Sequence, residues 1–282
     1  MLENSMNTKQ NQSMLMHLEQ VQVMGILNVT PDSFSDGGKF SNFDNALKQV
    51  ELMLNDGVDI IDIGGESTRP GAVDVTTEDE LSRVIPLLQA IKSRFDISVS
   101  IDTSKSEVMS EAIIHGANMI NDVRALQNDG CIDVVAESEI SVCLMHMKGM
   151  PRSMQENPQY ISVIDDILSF FEQRIKACEQ QGISKQRLIL DPGFGFGKNL
   201  EHNYQMLAKF SAFKKFDLPL LSGTSRKSML GALLNRDVEH RLSGSLTSAI
   251  VAVQQGASII RVHDVAETVD AMKVLKEVAQ YS

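Results

Sequence analysis

The sequence predicts an α/β protein folded as a single-domain TIM (β/α)8 barrel, because short apolar runs, polar run ends and helix-length spacers recur along it. Eight runs rich in Ile, Val, Leu or Met each end in a polar or glycine-rich step, as parallel strands buried on both faces do. A chain of 282 residues is a usual length for one such barrel. The predicted strands are residues 21–28, 58–62, 97–102, 119–122, 142–145, 187–191, 219–222 and 259–262.

The segments between the runs carry helix boundary signals. Thr77 with Glu80, and Ser104 with Glu107, have the spacing of capping boxes, which predicts helix starts soon after strand ends. Glycine near the next run is typical of a helix that ends in a left-handed residue. These glycines are Gly57, Gly116, Gly182 and Gly256.

An open, doubly wound sheet is the alternative fold, but no run is followed by the GxGxxG turn that opens a helix in many such sheets. The glycine-rich stretch 191–199 lacks the residues of a phosphate-binding P-loop. Residues 1–20 are polar and without period, so we expect a disordered N-terminal extension followed by one domain over 21–282.

Composition excludes several classes of partner. A net charge of −11 and a pI near 5.0 argue against binding to nucleic acid or to an anionic membrane surface. No apolar run approaches the roughly 20 residues of a membrane span, and no signal peptide is visible. Three widely spaced cysteines suggest neither disulfides nor a zinc site, which favours a reducing cytoplasm.

Polar side chains stand at the predicted strand ends, which a barrel brings to one mouth. Carboxylates and amides there suit a ligand edge with several N–H donors, and the basic residues suit an anion. We therefore expect a ligand that is polar at one end and anionic at the other. The converging residues are Asn28, Asp62, Asp102, Asn121, Asp122, Asp191, Lys227, Arg261 and His263.

Several of these residues have a purely structural alternative. Asp102 and Asp191 would serve equally well as helix caps or loop anchors. Arg261 lies within a strand, where a charge must be either ion-paired or directed to a ligand. Met145 would pack in the core or form the floor of a flat aromatic pocket. His146 is interpreted as structural.

Two loops complete the predicted mouth. The glycines of DPGFGFGKN (191–199) would let the backbone approach a ligand, with Phe196 as an apolar wall. The sequence SRKS (225–228) is predicted to open a helix, where free backbone N–H groups, Lys227 and Ser228 would bind a carboxylate or phosphate.

Seven motifs, taken in order, resemble those of bacterial dihydropteroate synthases from about residue 21 to the C-terminus. They are MGILNVTPDSFSDGG (24–38), DIGGESTRPGA (62–72), SIDTSK (100–105), INDV (120–123), DPGFGFGK (191–198), GTSRKS (223–228) and RVHDV (261–265). The resemblance implies a pterin-binding transferase that joins 6-hydroxymethyl-7,8-dihydropterin diphosphate to p-aminobenzoate, releases pyrophosphate, and is a target class of sulfonamides.

The resemblance also assigns residues to each substrate. For the pterin it implies Asp102, Asn121, Met145, Asp191, Lys227 and Arg261. For the diphosphate it implies Asn28, Arg261 and His263, with Mg²⁺ as cofactor on Asn28. For p-aminobenzoate it implies Phe34, Thr68, Arg69, Pro70, Phe196 and Ser228. The catalytic set implied is Asp36, Arg69, Asp102, Lys227, Arg261 and His263.

The same family implies dissociative chemistry, in which pyrophosphate departs before the arylamine attacks a pterin-methyl cation. Loops 30–39 and 67–76 are expected to be mobile and to close over the intermediate. A homodimer is a further expectation from the resemblance, with the C-terminal helices as the contact.

Two other functions remain open at this point. One is a methyltransferase that passes a methyl group from a folate to a corrinoid. Such enzymes have a similar barrel and bind the pterin with similar Asp and Asn side chains, although no DxHxxG corrinoid motif occurs here. A pterin-binding protein without turnover is the other alternative. The presence of every residue expected to act in catalysis argues against it: Asn28, Arg69, Lys227, Arg261 and His263.

Overall fold

The computed structural model describes residues 20–29, 39–67, 74–149, 154–155 and 157–281, and within them strands and helices alternate. The strands are β1 (Gln22–Asn28), β2 (Ile60–Gly64), β3 (Ser98–Asp102), β4 (Met119–Asp122), β5 (Ser141–Met145), β6 (Leu188–Asp191), β7 (Leu221–Ser222) and β8 (Ile259–Val262). The α-helices are α1 (Lys39–Asn55), α2 (Thr77–Arg94), α3 (Ser106–Ile114), α4 (Cys131–Ala136), α5 (Val163–Gln180), α6 (Leu200–Ala208), α7 (Ser228–Leu234), α8 (Leu242–Gln254) and α9 (Val265–Ala279). Short 3₁₀ helices cover Lys185–Arg187, Phe210–Phe216 and Val238–His240.

The eight described strands are parallel and form one nearly closed barrel, which confirms the predicted fold. The sheet order is β6-β5-β4-β3-β2-β1-β8-β7. A parallel bridge between Leu190 and Leu220 joins the two end strands. Leu190 N also donates to Pro219 O at 3.0 Å. β7 is shorter than the predicted 219–222, since Pro219 has no N–H to donate and Leu220 forms only the isolated bridge.

The barrel interior is built from every second residue of each strand. Seven buried apolar side chains form its lower layer: Met24, Ile60, Met119, Cys143, Ile189, Leu221 and Ile259. The alternate positions, such as Val99 and Ile101, pack outward against the helices. Because side chains alternate along a strand, the next inward positions above the apolar layer carry Asp62, Asn121, Asp191 and Arg261.

The predicted glycine positions are confirmed, but both capping boxes are wrong. Gly57, Gly116, Gly182 and Gly256 have φ of 90°, 86°, 87° and 104°. The cap of α2 is Thr76, whose Oγ1 accepts from Asp79 N at 3.1 Å. Glu80 is instead buried and accepts from Lys105 Nζ.

The second box fails for a different reason. Ser104 Oγ donates to Asp122, and α3 begins later, at Ser106, without a side-chain cap. The prediction that Asp122 converges with the other polar residues at the mouth is therefore wrong. Its two carboxylate oxygens accept from Arg124 N at 2.8 Å and Leu126 N at 2.7 Å, so it anchors the loop after β4 on the outer side of the barrel.

Candidate functional site

The register of the strands sets four polar or small residues at one level of the mouth. Asn28 pairs with Gly64, Gly64 with Asp102, and Asp102 with Asn121. The first three strands thus end at this level, and β4 ends one residue beyond it. This level is where the polar strand ends meet, as the barrel fold requires.

Arg261 is the central charge of the mouth. Its Nε donates to Asp62 Oδ2 at 2.6 Å, and its Nη2 donates to Asp102 Oδ2 at 2.9 Å. Asn121 Nδ2 donates to the same Asp62 oxygen at 3.2 Å. The ion-pair interpretation of Arg261 is therefore correct, and its side chain remains 21% exposed at the mouth, so a ligand contact is compatible with it.

Burial and charge act against each other at Asp102. Burial raises the pKa of Asp102 to about 7, although the Arg261 guanidinium lowers it and the neighbouring Asp62, Glu80 and Asp122 carboxylates raise it further. For Arg261, Asp62 and Asp102 outweigh burial and raise the pKa, so the guanidinium stays charged. The site therefore holds one fixed cation beside a carboxyl group that titrates near neutrality.

Asp191 and Lys227 lie near enough at the mouth for the charge of each to affect the pKa of the other. Burial raises the pKa of Asp191, which Lys227 opposes, and burial lowers the pKa of Lys227 to about 8, which Asp191 opposes. Lys227 Nζ donates to Phe194 O and lies 4.6 Å from the ring centroid of Phe196. Phe196 therefore forms a half-buried wall beside a lysine with a lowered pKa.

Met145 lies under this pair. It is 3% exposed and pairs with Asp191 across β5 and β6. An added Cβ on Gly193 would lie 3.3 Å from Met145 Cγ. The side chain is thus buried, as core packing requires, and it also lies at the level of the mouth. Its role as the floor of an aromatic pocket stays a prediction.

The glycines after β6 are required by the packing of the loop itself. Gly193 and Gly197 have positive φ, and an added Cβ would lie 2.0 Å from His146 O and 2.1 Å from Lys148 O. These two glycines let the loop pack against the backbone that follows β5. That the same loop also lets the backbone approach a ligand stays a prediction.

Lys198, which the sequence interpretation did not single out, holds this loop. Its Nζ is buried and lies 2.9 Å from His146 Nδ1, 2.8 Å from Gly193 O, 3.0 Å from Phe196 O and 3.3 Å from His146 O. Burial and the charges of Lys198 and Lys148 lower the pKa of His146 to about 2, so the imidazole is neutral. The structural interpretation of His146 agrees with these contacts.

The basic end of the mouth lies after β7 and β8. Ser225 Oγ lies 3.0 Å from His263 Nδ1 and accepts from His263 N at 3.1 Å. Ser228 is the first residue of α7, as predicted, and is exposed. Arg226 instead pairs with Asp264, with Arg226 Nε 3.0 Å from Asp264 Oδ2, so it fixes the loop between β7 and α7.

Asn28 is the predicted metal ligand. An added Cβ on Gly64 would lie 3.3 Å from Asn28 Oδ1 and 3.9 Å from Asp102 Oδ2, so the glycine keeps the space between these oxygens open. In the described part of the chain, no group of three or more His, Cys, Asp or Glu side chains suits a metal. Mg²⁺ commonly takes only one or two protein oxygens and completes its shell with phosphates and water. The residues present fit that mode of binding.

A salt-bridge network fixes the segment after β2. Lys105 Nζ lies 2.5 Å from Glu66 Oε2 and also contacts Glu80. Arg83 Nη1 donates to Gly65 O at 3.1 Å. Five predicted site residues lie outside the described residues: Phe34, Asp36, Thr68, Arg69 and Pro70.

Comparisons with known proteins agree on one family. A family model described as pterin binding enzyme matches residues 24–263. The dihydropteroate synthase of Escherichia coli (strain K12) is 56% identical over 259 residues, or 92% of each chain. A Yersinia pestis dihydropteroate synthase structure with a sulfonamide drug complex is 53% identical with a TM-score of 0.89, over 93% of this chain and 96% of that one. A Xanthomonas albilineans dihydropteroate synthase in complex with 7,8-dihydropteroate is 42% identical with a TM-score of 0.85, over 93% and 95%.

Proposed function

The chain belongs to the dihydropteroate synthase family, and from this premise we propose how its barrel mouth joins 6-hydroxymethyl-7,8-dihydropterin diphosphate to p-aminobenzoate. The reaction is a transferase reaction of folate biosynthesis that releases pyrophosphate, and the family is a sulfonamide target class. The observation that carries the residue roles is the convergence of Asp102, Asn121, Asp191 and Lys227 around the ion-paired Arg261.

The pterin binds between the polar edge and the guanidinium. The oxygens of Asp102, Asn121 and Asp191 accept hydrogen bonds from its N–H groups. Carboxylates and amides are well suited to a ligand edge that carries several such donors. Arg261 stacks on the ring face, because a planar cation held by two carboxylates presents a flat surface. Lys227 donates toward the pterin carbonyl and N5, and Met145 supports the ring from below.

The diphosphate lies at the basic end of the mouth. Arg261 and His263 offer donors to its oxygens, and Asn28 Oδ1 would be the protein ligand of Mg²⁺. When bound, Mg²⁺ neutralises charge on the leaving pyrophosphate. This metal role rests on the open space that Gly64 leaves beside Asn28 Oδ1.

The p-aminobenzoate binds over Phe196 with its carboxylate at Ser228. The start of α7 supplies backbone N–H groups that favour an anion, and Ser228 is its first residue. Phe34, Thr68, Arg69 and Pro70 complete this subsite by family resemblance. The amine then faces the pterin methylene from the side opposite the diphosphate.

Catalysis in this scheme is electrostatic. The C–O bond to the diphosphate breaks first, and Asp102 and Asp191 stabilise the pterin-methyl cation that remains. Arg261, His263 and Lys227 stabilise the departing negative charge. The arylamine nitrogen then forms the C–N bond and loses a proton. Asp36 and Arg69 act from the loops after β1 and β2, where closure would exclude water.

One incubation tests this function. Purified protein, pterin diphosphate, p-aminobenzoate and Mg²⁺ should yield dihydropteroate and pyrophosphate in equal amounts, detected by chromatography and a phosphate assay after pyrophosphatase. Pterin binding without product would support the non-catalytic alternative instead. Methyl transfer from a folate to a corrinoid, with no dihydropteroate formed, would support the methyltransferase alternative.

Two further properties belong to this proposal. We place the protein in a reducing cytoplasm, because Cys131, Cys143 and Cys178 are free, buried thiols; in the described residues, no helix is long and apolar enough to cross a membrane. We also propose a homodimer through the C-terminal helices, where Val274 is 64% and Tyr281 82% exposed. Sedimentation equilibrium tests the dimer, and a monomer at micromolar concentration would refute it.

A further inference from the structure

A carboxylate with no assigned role lies directly beneath the binding residues of the mouth. Asp62 projects from β2 into the barrel, and its side chain has no exposure to solvent. Building on the proposed function, we propose that Asp62 is a positioning residue that fixes Arg261 and Asn121 relative to each other and so sets the affinity for pterin diphosphate. A single oxygen, Oδ2, accepts from both residues, at 2.6 Å and 3.2 Å.

Arg261 needs such an anchor because its side chain must cross the barrel. It starts on β8, which pairs with β1 at Met24, yet its two acceptors lie on β2 and β3. A long side chain that is not held loses rotamer entropy when a ligand binds. Two bonds, from Nε and Nη2, fix the plane of the guanidinium before the ligand arrives.

Asp62 is better suited to this task than Asp102. It lies within β2 and is paired on both sides, with Ile26 of β1 and Ser100 of β3. Asp102 ends its strand, is 11% exposed, and is proposed to contact the pterin itself. When the ligand engages Asp102, Asp62 remains the counterion of Arg261.

The contacts of Asp62 point inward only. Its other oxygen, Oδ1, is buried and has no hydrogen-bond partner among the described residues. The carboxylate therefore acts on the ligand through Arg261, which is placed at the ring face, and through Asn121, which is placed at the ring edge. One oxygen atom of Asp62 thereby connects these two sides of the pterin site.

This geometry allows charge and hydrogen bonding to be separated. In Asp62→Asn, the amide oxygen can still accept from both Arg261 and Asn121, while the NH₂ replaces the oxygen without a described partner. Both bonds are kept, the negative charge is lost, and a buried NH₂ is added. Asp62→Leu removes both bonds and the charge while keeping the branching and the number of side-chain heavy atoms. A matched control is Ser100→Ala, because Ser100 Oγ is also buried, lies beside Asp62 on β3 and has no partner in the described part of the chain.

Steady-state kinetics on both substrates give the first test. We expect KM for pterin diphosphate to rise about tenfold in Asp62→Asn, since a charge-assisted bond becomes a neutral one. The rise should be larger in Asp62→Leu. KM for p-aminobenzoate should stay within about twofold in both variants. Ser100→Ala should leave both constants unchanged. An equal rise for the two substrates would indicate general loosening of the barrel and would overturn the inference.

A second test asks whether Asp62 acts through Arg261. Calorimetric affinity for pterin diphosphate is compared in Arg261→Gln with and without Asp62→Asn. The second substitution should cause little further loss, because Arg261 is already gone and the amide oxygen in Asp62→Asn can still accept from Asn121. Additive losses would overturn the inference. If the wild-type protein forms no dihydropteroate, the proposed function fails; if it turns over normally while Asp62→Asn keeps its affinity for pterin diphosphate, this inference alone fails.

Discussion

Lys198 Nζ lies 2.9 Å from His146 Nδ1 and joins the loops that follow β5 and β6. The same nitrogen contacts Gly193 O and Phe196 O. Because Phe196 forms the wall beside Lys227, the contacts made by Lys198 position part of the mouth. They do so with a side chain that is 2% exposed.

Replacing Lys198 by Met should therefore destabilise the protein strongly. Methionine has a similar length and an apolar end, so the substitution leaves several buried acceptors without their donor. We expect a loss of about 3 kcal/mol or more in the free energy of unfolding, measured by urea denaturation.

Lys215→Met is the matched control for this experiment. Lys215 is 58% exposed and paired on the surface with Glu172, so its loss should change stability little. Equal effects of the two substitutions would contradict the structural role of Lys198.

The affinity for a pterin should depend on the protonation of Asp102. Its pKa is raised to about 7, so the free carboxyl group gains a proton as the pH falls through that value. A protonated carboxyl no longer pairs with a ligand donor, and binding to the ionised form then requires that the proton be released. We expect affinity to fall about tenfold from pH 8 to pH 6.

Calorimetry in two buffers of different ionisation enthalpy measures that proton directly. At pH 6 close to one proton should be released per pterin bound, and at pH 8 almost none. Asp102→Asn should bind more weakly at pH 8 and show no such release. Pterin binding at pH 6 without proton release would contradict the assignment of Asp102 to the ligand edge.

The barrel could be predicted from the sequence because its signal is repeated. Each strand is an apolar run, and the pattern of eight runs survives when one strand is longer or shorter than predicted. The start of a single helix is signalled only once, so its prediction lacks this redundancy. Residues 76–80 contain two overlapping capping boxes, Thr76 with Asp79 and Thr77 with Glu80. The choice is made by Lys105, whose ammonium binds Glu80 in the core, and no local pattern reveals that contact.

The site was predictable to the extent that strand ends determine it. Asn121 and Asp122 are neighbours, and only the strand register decides that Asn121 faces Asp62 while Asp122 binds Ser104. Lys198 was missed for a stronger reason. Its acceptors come from two loops that meet only because Gly193 and Gly197 allow close backbone packing.

Asp191→Asn should weaken pterin binding by about 1.5–3 kcal/mol, because it replaces a charge-assisted contact by a neutral one. Asp191 is buried at the mouth and faces Lys227. Calorimetry with a pterin that lacks the diphosphate isolates this contact from the anion site.

Asp59→Asn provides the comparison for Asp191. Asp59 lies before β2, at the opposite end of the barrel, where its Oδ2 accepts from Val23 N at 2.7 Å. Asp59→Asn is the same chemical change at a position away from the mouth. The variant should therefore bind a pterin with the affinity of the wild type. An unchanged affinity in Asp191→Asn as well would refute the assignment of Asp191 to the pterin edge.

Asn28→Ala should separate the metal site from the pterin site. Asn28 ends β1 beside Gly64, at the level of Asp102, and its amide oxygen is the proposed protein ligand of Mg²⁺. With Mg²⁺ present, the affinity for pterin diphosphate should fall about tenfold. Without Mg²⁺, wild type and variant should bind this ligand alike.

The same variant should bind a pterin without diphosphate within about twofold of the wild type, since Asp102, Asn121 and Asp191 remain in place. Measuring four affinities, with and without Mg²⁺ and with and without diphosphate, assigns the loss to one contact. An equal loss for all four would mean that Asn28 shapes the barrel mouth generally. A loss confined to the diphosphate ligand with Mg²⁺ requires that the metal, the diphosphate and Asn28 meet at one point, beside the space that Gly64 leaves open.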